Sequence, residues 1–132
     1  MHEGTVLAFD FGTRRIGVAV GEMMLARARP LTIIDAEAND ARFAAVGRLI
    51  GEWQPARLVV GLPVSVDGIE HEMTHRCRRF ARQLEGRFRL PLELVDERYS
   101  SCGLSADKSR VDAEAAAVIL QAWFDERAAA GA

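Results

Sequence analysis

The stretch VLAFDFGTRRIGVAV, residues 6–20, limits the fold more than any other part of the chain. Leu7, Phe9 and Phe11 alternate with Val6, Ala8 and Asp10, which is the two-residue period of a strand. Gly12-Thr13 turns the chain, and Ile16 to Val20 returns as a second strand, so the pair reads as a hairpin. A carboxylate, Asp10, sits inside this otherwise apolar strand. Burying an ionised carboxylate is costly unless a partner or a cation compensates it.

The rest of the chain supplies what such a hairpin packs against. Pro30 to Ile34 reads as a third strand. Phe43, Val46, Leu49, Ile50 and Trp53 mark one face of a helix over 39–53, with Asn39 or Asp40 as its cap and Pro55 as its stop. Arg57 to Leu62 is a buried strand, and Val66-Asp67-Gly68 is a turn. Residues 70–88 form a helix with Met73, Cys77, Phe80, Leu84 and Phe88 on one stripe, and Leu92 to Glu97 is a strand. Val111 to Arg127 is the last helix. The order β-β-β-α-β-α-β-α implies an α/β domain with a mixed five-stranded sheet and helices on both faces. With 132 residues, 49% of them hydrophobic, the chain is expected to be a single domain over 1–132.

The net charge of −2 excludes a uniformly basic nucleic-acid binder. The average hides a local run, Arg76, Arg78, Arg79, Arg82, Arg87 and Arg89, and Lys108 is the sole lysine. Arginine's planar fork suits phosphate, and it equally suits surface ion pairs. No apolar run approaches the roughly 18 residues of a membrane span. Cys77 and Cys102 form neither a CxxC nor a zinc spacing and read as free thiols. The expected location is cytoplasmic, with no membrane partner.

Three acids stand at awkward places. Asp10 is on the first strand, Glu97 ends the last strand in LVDERYSS, and Asp112 is in the first turn of the last helix in KSRVDAEAAAVIL. If the first and last strands are central and the last helix packs on them, the three converge. Divalent metal would offset the repulsion, and Mg²⁺ leaves coordination positions for phosphate oxygens. Two such ions would flank the scissile phosphate of an in-line hydrolysis. Each acid also has an ordinary reading. Asp10 would accept hydrogen bonds in its own turn, and Glu97 would pair with Arg98 or another arginine. Ser109-Arg110-Val111-Asp112 fits a capping box. Against that last reading, Asp112 shares a helix face with Ala116, Ile119 and Trp123.

The set AFDFGTRRIGVAV, ARPL, LVVGLPVSVDG, DERYSS and VDAEAAAVIL resembles the YqgF/RuvX family, from about Val6 to Phe124. The resemblance implies an RNase H-like fold related to RuvC-type Holliday junction resolvases, and a nuclease that processes the 5′ end of pre-16S rRNA in ribosome biogenesis. In that family the first-strand aspartate, the glutamate of D-E-R and the aspartate of V-D bind metal, which here are Asp10, Glu97 and Asp112. Mg²⁺ or Mn²⁺ is the cofactor so implied, and RNA is preferred to DNA as partner, with ribosome association and a monomer or homodimer both open. Two departures stand out. The segment YSSCGLSADKSR is shorter than in many members, and the position where resolvases carry a further carboxylate is Ala115, so three acids are expected.

Thr13, Arg14, Arg15, Arg98, Lys108 and Arg110 are the expected contacts to nucleic acid. Arg14 and Arg15 follow the Asp10 turn and would stabilise phosphate charge there, unless they only solvate the turn. Lys108 and Arg110 flank Asp112 and would meet backbone phosphates. HEMTH, His71 to His75, matches H-E-x-x-H, but its helix turns Met73, Cys77 and Phe80 inward, and His2 is the one other histidine. DFGT also opens the first hairpin of actin-like ATPases, which close two such domains around a nucleotide. This chain has room for one. The alternatives to an RNA nuclease are a DNA junction resolvase, which needs two paired sites, and a non-catalytic RNA-binding or ribosome-associated factor.

Overall fold

The computed structural model describes residues 4–63, 72–96 and 108–131, the side chains of 108–112 and 131 aside. Its elements are β1 (Thr5–Phe11), β2 (Arg15–Glu22), β3 (Arg27–Asp35), α1 (Asn39–Trp53), β4 (Arg57–Leu62), α2 (Glu72–Phe88), β5 (Leu92–Asp96) and α3 (Lys108–Gly131). The five strands form one sheet in the order β3-β2-β1-β4-β5. β1, β2 and β3 make the antiparallel meander, while β4 is parallel to β1 and β5 is parallel to β4. The mixed sheet follows from the connections: short turns join antiparallel neighbours, and helical crossovers join parallel ones.

The alternation of β1 divides the interior. Leu7 and Phe9 pack with Phe43 and Val46 of α1 and with Phe80 and Leu84 of α2. Val6 and Ala8 face the other way, against Ala116, Ile119, Leu120, Trp123 and Phe124 of α3. Helices therefore cover both faces, as the element order implied. Phe80 joins three elements, with ring centroids 6.1 Å from Phe9, 4.9 Å from Phe11 and 5.8 Å from Phe43.

Several contacts fix where residues 121–124 of α3 sit on the sheet. Gln121 donates to the Ala26 carbonyl and accepts from the Ala28 amide. Trp123 Nε1 donates to Glu93, which also holds Arg57 at 2.7 Å. Gly21 lies so near the Phe124 ring that a Cβ there would sit 2.7 Å from it. Arg57 and Gly21 both pair with Val6, so the 121–124 turn of α3 covers the N-terminal end of β1. The N-terminal half of α3 then extends toward the Asp10 end.

Four expectations need correction. β5 is the edge strand, with β4 between it and β1, so the last strand is not central. β3 runs well beyond Pro30–Ile34 because it is the opposite edge, where polar residues face water, and its register shifts beside Pro30. α1 starts as expected, but its cap is Ala38 with no side-chain hydrogen bond, so neither Asn39 nor Asp40 caps it. α3 begins at Lys108, which places Ser109 inside the helix and removes the capping-box register at Asp112.

Candidate functional site

Asp10 is half-buried at the C-terminal end of β1. Strand alternation sets it on the face of Val6 and Ala8, which is the face that α3 covers. Its partner in β2 is Gly17, so no side chain stands directly opposite the carboxylate there. Ala8, Ala19, Ala115 and Ala116 are all buried small residues near this level of the sheet and helix. Small residues let the helix approach the sheet closely.

Asp112 is placed by the backbone in the second turn of α3, four residues before the buried Ala116. From Trp123 back to Asp112 the helix rises about 16 Å at its usual pitch. From Val6 to Asp10 the strand advances about 13 Å. The turn that carries Asp112 is therefore level with the end of β1. Lys108 and Arg110 lie four and two residues before Asp112 on the same helix. Glu97 and Arg98 lie outside the described residues, as do Tyr99 to Asp107 and His71. Ala115 is buried, and Glu114 one residue earlier is exposed.

Thr13 and Arg14 are exposed on the β1–β2 turn, and Arg15 is partly so. Arg14 pairs with Glu37 at 3.6 Å and Arg15 with Asp35 at 3.9 Å, both pairs open to solvent. Exposed pairs of this kind contribute about 0–1 kcal/mol, so a phosphate competes for these guanidinium groups at small cost. The turn itself is tightly built. A Cβ on Gly12 would lie 2.6 Å from the Arg15 carbonyl oxygen. We expect Gly12→Ala to shift this turn and cost about 1–3 kcal/mol, as overpacking usually does. A thermal melt alongside any phosphodiesterase assay checks this. An unchanged melt with unchanged turnover would show that the turn tolerates the methyl group.

Sequence reasoning missed Arg42. It is 3% exposed, the one charged side chain among the buried described residues. Its Nε donates to the Ala36 carbonyl, and one terminal nitrogen donates to the carbonyls of Gly12 at 2.7 Å and Thr13 at 2.6 Å. Its guanidinium also lies over Phe11, 5.2 Å from the ring centre. Burial pushes its pKa down, while nearby Glu37 pushes it back up. One signal was available: Arg42 shares a helical stripe with Val46, Leu49 and Trp53.

The arginine run on α2 is dispersed. Arg76 pairs with Glu72 at 2.8 Å, and Arg87 stacks over Phe43 at 4.2 Å. Arg79 and Arg82 are exposed. Thr74 is buried and donates to the Pro63 carbonyl at 2.6 Å, tying the start of α2 to the end of β4. A groove of about 750 Å³ lies between β3 and α1, lined in part by Asp35, Arg48 and Glu52. It opens on the α1 face of the sheet, opposite the face of Asp10.

Residues 4–126 match the RuvX family, described as Holliday junction resolvase. A Methylobacillus flagellatus protein named "Putative pre-16S rRNA nuclease" is 57% identical, over 92% of this chain and 91% of that one. A Nitrosomonas europaea protein of the same name is 54% identical, over 92% and 90%. Among solved structures, Thermus thermophilus RuvC in complex with Holliday junction substrate aligns with a TM-score of 0.60 at 13% identity, over 95% of this chain and 96% of that one. The Fowlpox virus resolvase in its junction complex aligns at 0.55 with 7% identity, over 93% and 98%. At such identities these two likenesses are likenesses of fold.

Proposed function

The chain belongs to the RuvX family, and from that premise we propose that it is a divalent-metal nuclease that trims the 5′ end of precursor 16S rRNA in the cytoplasm. The observation that carries this reading is the half-buried Asp10 at the end of β1, on the face that α3 covers.

The donor chemistry fits a hard cation. Asp10, Glu97 and Asp112 offer only carboxylate oxygens, which suit Mg²⁺ or Mn²⁺ rather than a thiolate- or imidazole-seeking metal. Glu97 follows β5 directly in the sequence, and β5 is separated from β1 by β4. Asp112 reaches the level of Asp10 from α3. These three acids would hold the metal, which when bound polarises the phosphate and lowers the pKa of water. The chain's own work is to fix those acids and to orient the RNA. Arg14, Arg15 and Thr13 on the turn, with Arg98, Lys108 and Arg110, would bind phosphate oxygens and draw the backbone across the site. Such contacts make affinity fall with salt.

The family's description favours one other substrate, a four-way DNA junction, which would require two paired copies. Side-by-side cleavage of a 5′-extended 16S precursor RNA and a four-way junction, with Mg²⁺, Mn²⁺ or EDTA, decides between them. Metal-dependent RNA cleavage is the expected result. Symmetric nicks in the junction alone would make the chain a resolvase. RNA binding without cleavage of either would make it a non-catalytic ribosome-associated factor.

A further inference from the structure

We propose that Arg42 is a positioning residue for the acid site, its buried guanidinium clamping the β1–β2 turn so that the backbone carrying Asp10 is fixed. The inference rests on the nuclease reading for its consequence, while the clamp itself stands on geometry. Arg42 enters from α1, on the face of the sheet opposite Asp10. It donates to Gly12 and Thr13 within the turn and to Ala36 in the segment before its own helix. Three backbone carbonyls are thus held by one cation, through charge-assisted bonds. Its plane lies over Phe11, and Phe11 in turn packs on Phe80. The chain of contacts runs from the core of α2, through the residue after Asp10, to the two residues that follow.

This arrangement needs the guanidinium fork and not simply a positive charge. Donors pointing in different directions meet carbonyls from two separate segments, a geometry that an ammonium on a flexible stem does not reproduce. Gly12 completes the device, because the Arg15 carbonyl occupies the space a side chain would need. Arg14 and Arg15 leave the clamped turn toward solvent, so the same residue that aims Asp10 also sets where the exposed arginines begin.

Amide hydrogen exchange and Mn²⁺ titration of Arg42→Lys, with Asp10→Asn alongside, test the proposal. We expect exchange over residues 11–16 to speed up at least tenfold in Arg42→Lys, with β4 unchanged, and Mn²⁺ affinity to fall about tenfold. Should the lysine variant fail to fold, Arg42→Gln carries the same comparison, and millimolar methylguanidinium added to Arg42→Ala should restore protection of the turn. A residue that merely stabilised the fold would raise exchange throughout and leave the Mn²⁺ affinity of the folded fraction alone. Unchanged exchange at the turn overturns the clamp. Faster exchange with wild-type Mn²⁺ affinity overturns the link to the acid site. If Asp10→Asn itself binds Mn²⁺ like wild type, the metal reading fails instead, and the exchange result alone then decides whether Arg42 clamps the turn.

Discussion

Asp10→Asn should lower metal-dependent cleavage by about a hundred- to ten-thousandfold, while leaving the fold intact. The magnitude follows from charge. A metal at the scissile phosphate supplies several kcal/mol of transition-state stabilisation, and each 1.4 kcal/mol is about tenfold in rate. Asparagine keeps the shape of the side chain and removes one anionic oxygen ligand. It also relieves repulsion among the acids when no metal is bound. Without metal, the variant should therefore melt at the wild-type temperature or slightly above it. Added Mn²⁺ should raise the melting temperature of wild type more than that of the variant, since only a ligand that binds the folded state stabilises it. Equal cleavage by both proteins would remove Asp10 from the chemistry. A lower melt in the absence of metal would assign it the ordinary role of a hydrogen-bond acceptor in its own turn.

Phe80→Ala should be the most damaging change in the core. Phe80 is 3% exposed and is the ring on which Phe9, Phe11 and Phe43 meet. Truncating a buried phenylalanine costs about 3–5 kcal/mol through lost transfer energy and the cavity left behind. Domains of this size are stable by only about 5–15 kcal/mol, so much of the margin would go. The loss should also loosen the turn, because Phe11 would keep Arg42 on one side and lose its support on the other. Urea unfolding gives the number, with Leu94→Ala as a comparison. Leu94 is 39% exposed on the edge strand, and its truncation should cost far less. Similar midpoints for the two variants would mean that the aromatic junction does not organise this face.

Much of this architecture is legible in local pattern. The alternation of Leu7 and Phe9 with Val6 and Ala8 separates the two faces of the sheet correctly, and α1 and β4 have the limits their apolar spacing implies. These segments are buried on a period, so periodicity reports them faithfully. The edges are harder to read. β3 carries Arg27, Arg29 and Thr32 because an edge strand faces water, and its sequence resembles a loop. Strand order depends on which crossover passes where, which is why β5 looked central and is peripheral. Asp10 was visible as a charge out of place in an apolar strand. Arg42 was not, because an arginine on a helix reads as solvated, and its acceptors Gly12 and Thr13 are about thirty residues away. Asp112 looked like a cap until α3 proved to start at Lys108.

The nuclease reading requires that Asp10, Glu97 and Asp112 hold a divalent cation together. Electron paramagnetic resonance of Mn²⁺, titrated into wild type, Asp10→Asn, Glu97→Gln and Asp112→Asn, addresses it directly. Saturable binding to wild type is expected, with a loss of at least about tenfold, roughly 1.4 kcal/mol, in each variant. Equal Mn²⁺ binding by all four proteins would contradict it.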